Sequence, residues 1–160
     1  MRSTSTAFAC LIASGLIATP ALAIDLSESV DIAKPAADVW GALEDWCSIS
    51  AWHPVIAECE AYEEGGKTMR KLTTGDGGVL IEELTGRDDD GMSFSYIIVE
   101  SPLPIADYAS TMEVRGNGDG ATVTWSSTYS ANGVSDDEAF ELMTGVYRAG
   151  LDQLKAQLGQ

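Results

Sequence analysis

The chain has 160 residues, with 9 basic against 25 acidic side chains and a formal net charge of −16. So acidic a surface repels phosphate backbones and anionic headgroups, which argues against nucleic acid and anionic membranes as partners. A hydrophobic share of 45% leaves enough apolar side chain for one domain with its own core.

Residues 1–23 have the form of a secretory signal peptide. Arg2 gives a positive start, residues 8–17 an apolar run, and Ala21-Leu22-Ala23 a small-residue cleavage site. The run is shorter than the roughly 20 residues that span a bilayer, so no stable membrane insertion is expected after cleavage. The expected mature domain is 24–160, with 8 basic and 25 acidic residues, net −17, exported to a bacterial periplasm. Cys47 and Cys59 then remain, and an even pair in an oxidising compartment suggests a disulfide closing a short loop around Trp52-His53-Pro54. Two buried free thiols are the other reading. With no CxxC, no second His and no HExxH, the chain shows no metal ligand set, and no cofactor is expected.

In residues 26–33, Leu26, Glu28, Val30 and Ile32 alternate with polar neighbours, the pattern of a strand. Pro35 suits the first turn of a helix whose apolar side is Val39, Trp40 and Leu43. A second short helix is expected over 46–50, ending before an extended Trp52-His53-Pro54. Six strands follow, over 55–62, 67–74, 79–85, 92–100, 108–115 and 121–129. Gly-rich or acidic turns and the Pro102-Leu103-Pro104 break separate them. Asp88-Asp89-Asp90 lacks calcium-loop spacing and reads as a solvated turn. No internal repeat or second domain is visible.

The last helix, 135–158, opens on a capping box, Ser135 with Glu138. Phe140, Met143, Tyr147, Leu151, Leu154 and Leu158 then form one apolar stripe, and Gly150 on its flank either leaves room for a ligand or a close strand or reflects ordinary tight packing. One long amphipathic helix with one long antiparallel sheet predicts an α+β fold, the sheet curled around the helix.

Strand parity places Arg70 on a face with Leu72, Glu82 with Leu80 and Leu84, Tyr96 with Phe94 and Ile98, and Tyr108 with Met112 and Val114. A buried Arg or Glu is unfavourable unless paired, so these two are expected to meet each other or a ligand. An Arg–carboxylate fork flanked by phenols would bind and ionise a small polar group; a satisfied core ion pair is the plain alternative. His53, the single His, lacks a visible orienting carboxylate and is expected to position a loop or line a mouth.

The set Trp52-His53-Pro54, Met69-Arg70-Lys71-Leu72, Ile81-Glu82-Glu83-Leu84, Ser95-Tyr96, residues 104–108 and Val123-Thr124-Trp125 resembles the START-like SRPBCC superfamily. Its polyketide cyclase/dehydrase-like and birch-pollen-allergen-like members share the helix-grip fold. Within it the chain is similar to the lachrymatory factor synthase branch, which rearranges a small sulfenic acid with an Arg, a Glu and a Tyr. Those motifs fall on Arg70, Glu82 and the pair Tyr96 and Tyr108, while the branch's Trp-Phe-Pro loop has His53 at its second aromatic. The resemblance implies a pocket for a small hydrophobic or amphipathic ligand. Arg70, Glu82, Tyr96 and Tyr108 are its candidate catalytic groups. Trp52, His53, Phe94, Ile98, Met112, Trp125, Met143 and Tyr147 are its candidate lining. The sequence thus supports an exported binding protein for a small lipophilic molecule. A cofactor-free cyclase, dehydratase or isomerase is the alternative, and an accessory protein acting through its surface a third.

Overall fold

The computed structural model describes residues 23–159, so nearly all of the expected signal peptide lies outside the described residues. The order of elements is β1 (Ile24–Ile32), α1 (Ala36–Leu43), α2 (Ile49–Trp52), β2 (Ile56–Glu64), β3 (Lys67–Thr74), β4 (Val79–Asp88), β5 (Ser93–Glu100), β6 (Ile105–Asn117), β7 (Gly120–Ala131) and α3 (Asp136–Leu158). The strands form one antiparallel sheet in the order β1-β7-β6-β5-β4-β3-β2, so the first strand closes onto the last. This is the helix-grip fold.

Hairpins explain the simple order. Gly65 and Gly66 both carry positive φ, 60° and 80°, in the two-residue turn between β2 and β3. That geometry matches the twist of the flanking strands, and glycine adopts it without strain. Strands β4 and β6 are among those that run longer than the alternation predicts. In β4 the ladder shifts between Leu84 and Gly86, which breaks the parity signal before Asp88. In β6 the ladder to β7 shifts between Ala106 and Ala109, with Asp107 at φ 54°, and this hides the start at Ile105.

The second helix lies later than expected, at Ile49–Trp52 rather than 46–50. Asp45 intervenes: its Oδ1 accepts from Cys47 N–H at 2.7 Å and its carbonyl from Ser48 N–H at 2.9 Å, making a turn where a helix was expected. Trp52 is therefore helical, and only His53 is extended before Pro54.

The α3 capping box forms as the sequence predicts, with Ser135 Oγ accepting from Glu138 N–H and Glu138 accepting from Ser135 N–H. Ala139, Met143, Tyr147, Gly150, Leu151 and Leu154 are buried against β1 and β7. Phe140 is a correction: it stands 42% exposed. With Met143 pointing inward, the residue one turn earlier that faces the sheet is Ala139, and Phe140 is carried to the flank.

Candidate functional site

Arg70 on β3 and Glu82 on β4 are direct cross-strand partners, both side chains pointing inward and at most 5% exposed. Arg70 Nε and Nη2 each lie 2.6 Å from Glu82 Oε2. Both land on one oxygen, so the guanidinium leaves Oε1 alone. The third arm, Nη1, donates to the Trp46 carbonyl at 2.6 Å, and the Trp46 ring lies 3.7 Å from Cζ. Guanidinium is weakly hydrated and planar, which makes this stacked, three-donor burial tolerable where an ammonium would not be. Burial pushes the Glu82 carboxyl above the usual carboxylate range, against the pull of Arg70.

Beside this pair runs a chain of phenols. Tyr96 OH and Tyr108 OH are 3.4 Å apart, and Tyr108 OH is hydrogen-bonded in turn to Tyr147 OH on α3. Trp125 Nε1–H donates toward Tyr96 OH at 2.9 Å and Ser110 Oγ at 3.1 Å. The Trp125 and Tyr147 rings stack at 4.1 Å, tying β7 to the helix. Burial raises Tyr96 and Tyr108 far above their ordinary values, so both act as neutral hydrogen-bonding groups.

Between the sheet and α3 lies a cavity of about 80 Å³. Glu82, Tyr96, Tyr108, Tyr147, His53 and Thr74 are the polar residues of its lining, with Ile98, Trp125 and Met143 among the apolar ones. Four of the expected site residues stand elsewhere. Arg70 is one layer behind Glu82, under Trp46. Phe94 packs against Trp40 and Trp46, Met112 is buried in the core as the register partner of Phe94, and Trp52 packs edge-on against Trp125. Parity selects a face of the sheet; it does not say how far along the strand the cavity extends. Val55, Leu103 and Val146 also line it. Leu103, in the Pro102-Leu103-Pro104 break, carries no periodic signal by which the sequence could have found it.

His53 is buried, and both of its ring nitrogens are engaged. Nδ1 accepts from Val55 N–H at 3.3 Å, and Nε2, 3.1 Å from the Val146 carbonyl, is therefore the protonated one. Burial holds its pKa below the ordinary value, and no nitrogen is left over to act as a base. It fastens the loop after α2 to the middle of α3.

That contact explains Gly150. A Cβ there would fall 2.5 Å from His53 Cδ2 and 3.0 Å from Trp52 Cζ3. Gly150→Ala should gain roughly 1 kcal/mol of helix propensity and lose about 1–3 kcal/mol to overpacking. Net destabilisation by urea unfolding, with a loosened His53, is the expected result; a more stable variant would show that the loop gives way freely.

Cys47 and Cys59 are joined in a disulfide with Cα atoms 5.4 Å apart. Among the described residues, no group of three or more His, Cys, Asp or Glu side chains is placed to hold a metal ion. Nor is any described helix long and apolar enough to cross a membrane.

A curved antiparallel sheet gripping a C-terminal helix, with a cavity between them, defines a START-like domain of the SRPBCC superfamily. The chain belongs to the family of polyketide cyclases/dehydrases and lipid transport proteins, whose model matches residues 23–159. Among solved structures it is similar to XoxI from Bacillus cereus, at 32% identity and TM-score 0.79, over 84% of this chain and 94% of that one. An uncharacterized protein from Bacillus thuringiensis is alike at 31% identity and TM-score 0.79, over 84% and 98% of the two chains. The Zhui aromatase/cyclase from a Streptomyces species shares the fold at 17% identity and TM-score 0.71, over 86% and 94%. No curated protein matches the chain.

Proposed function

We propose that this is an exported pocket protein that binds a small lipophilic molecule carrying one hydrogen-bonding group. The observation that carries this reading is the cavity itself, largely apolar with Glu82, Tyr96 and Tyr108 in its lining. Its size limits the ligand. Pockets for drug-sized molecules run to roughly 300–1,000 Å³, against about 80 Å³ here. A molecule of a few heavy atoms fits without rearrangement. Export to a periplasm is supported by the N-terminal sequence and by the disulfide, which persists in an oxidising compartment.

A second reading, a cofactor-free cyclase, dehydratase or isomerase, is favoured by one observation. Glu82 is both a wall of the cavity and a carboxyl whose affinity for a proton is raised by burial. A carboxyl that holds its proton more tightly than usual, facing a largely apolar pocket beside phenols, is equipped for proton transfer within a bound molecule. The Arg70, Glu82 and tyrosine positions support the lachrymatory-synthase-like version of that chemistry. A role through the protein surface alone leaves the cavity unexplained.

Native mass spectrometry of protein purified from its own periplasm should show a small adduct that is lost on denaturation. Absence of any adduct, together with no binding of small neutral aromatics or aliphatic alcohols by ligand-observed NMR, would overturn the pocket reading.

A further inference from the structure

Trp46 stands outside the cavity wall, yet it is the group most closely applied to Arg70. Its carbonyl takes Nη1, and its ring covers the guanidinium face and packs edge-on against Phe94 and Tyr96 at 5.6 Å. Its indole N–H is buried with no acceptor, so no hydrogen bond from that ring holds it in place. The next residue in the chain is Cys47, bonded to Cys59 on β2. Cys59 is paired with Leu72 of β3, and Ala61, two residues on, is the register partner of Arg70. The disulfide thus ties the Trp46 segment to the strand beside the one that bears Arg70.

We propose that Trp46 is the positioning residue for Arg70, and that the Cys47–Cys59 bond, by fastening Trp46, decides whether Arg70 stays engaged with Glu82 at the cavity. The site is then sensitive to redox state. Both cysteines are half-buried, and Cys59, paired with Leu72, faces the inner side of the sheet, so the bond is within reach of a small dithiol from the edge of the sheet rather than across it. The chemistry is ordinary exchange with a dithiol. One thiolate attacks a disulfide sulfur to give a mixed disulfide, and the second thiol of the reductant resolves it. The protein gains two electrons and two protons as two thiols, and the reductant leaves as its own disulfide.

With the bond open, the Trp46 segment loses its covalent anchor, and Arg70 loses its carbonyl acceptor and its stacking partner. Arg70 then swings toward water, and Glu82 is left in an apolar setting. The charged and titratable groups that face Glu82 are Arg70 from β3, Tyr96 from β5, Tyr108 from β6, Tyr147 from α3 and His53 from the α2–β2 loop. Of these only Arg70 is a permanent cation, so its departure is the change Glu82 feels most.

This inference deepens the pocket reading but is tested without a ligand. Protein labelled with ¹³C at the Glu carboxyls is titrated by NMR, with Glu82→Gln identifying the resonance. In Cys47→Ser/Cys59→Ser, or in wild type reduced with dithiothreitol if that variant does not fold, the Glu82 midpoint should rise by about one pH unit or more. Trp46→Phe, with the disulfide intact, should give a smaller rise. A purely structural disulfide would lower the melting temperature and leave the midpoint in place. An unchanged midpoint in folded protein with both thiols free would overturn the proposal and leave the pocket reading standing, whereas absence of ligand binding with a shifted midpoint would do the reverse.

Discussion

Arg70→Ala should destabilise the domain by about 3–5 kcal/mol, a large part of the roughly 5–15 kcal/mol that holds a domain of this size together. The substitution removes two contacts to Glu82 Oε2 and one to the Trp46 carbonyl, and leaves a gap beneath the Trp46 ring. Glu82 limits the loss by taking up a proton, which its burial already favours. Arg70→Lys should recover little, because one ammonium cannot span both acceptors or stack as a plane. A double variant, Arg70→Met with Glu82→Leu, separates the pair's net worth from the damage of breaking it. Replacing a buried ion pair by apolar groups is often neutral or stabilising. The double variant should therefore unfold at higher urea than Arg70→Ala. If Arg70→Ala unfolds at the wild-type urea concentration, the pair contributes nothing to the fold.

The inward placement of this pair was legible in the sequence, and the reason is the period of a strand. Arg70 sits two residues from Leu72, and Glu82 lies between Leu80 and Leu84, so any register that buries the leucines buries both charges. The long helix was legible for the same kind of reason, since its capping box and stripe are both local. Less legible was depth. Phe94, Met112 and Tyr96 share a face, but only Tyr96 reaches the cavity, and that depends on where α3 crosses the sheet. Trp46 was missed as a partner of Arg70 because it lies in a turn shaped by Asp45, where no periodicity applies. Its one visible signal was adjacency to a cysteine whose partner, Cys59, falls on a strand next to the Arg70 strand.

Glu82→Gln should abolish any turnover while leaving binding of a neutral ligand within a few-fold of wild type. Gln keeps the length and a carbonyl oxygen to accept from Arg70, so the hydrogen-bonded frame at 2.6 Å can persist. What is lost is the exchangeable proton and the negative charge. The folded state already favours the neutral carboxyl, so Glu82→Gln should be no less stable than wild type at pH values where wild-type Glu82 is ionised. The pH dependence checks the assignment. Glu82 has a folded pKa above its ordinary value of 4.5, so the folded state holds its proton more tightly than the unfolded chain. That contribution is full below pH 4.5 and is lost as pH rises through the folded value. Glu82→Gln should remove this step from a plot of unfolding free energy against pH. A pure carrier would show the altered stability profile and unchanged ligand binding with no reaction to lose, whereas an isomerase or cyclase would lose its rate at the same substitution. Turnover persisting in folded Glu82→Gln would remove Glu82 from the chemistry, leaving the phenols of Tyr96 and Tyr108 as the polar groups in contact with the ligand.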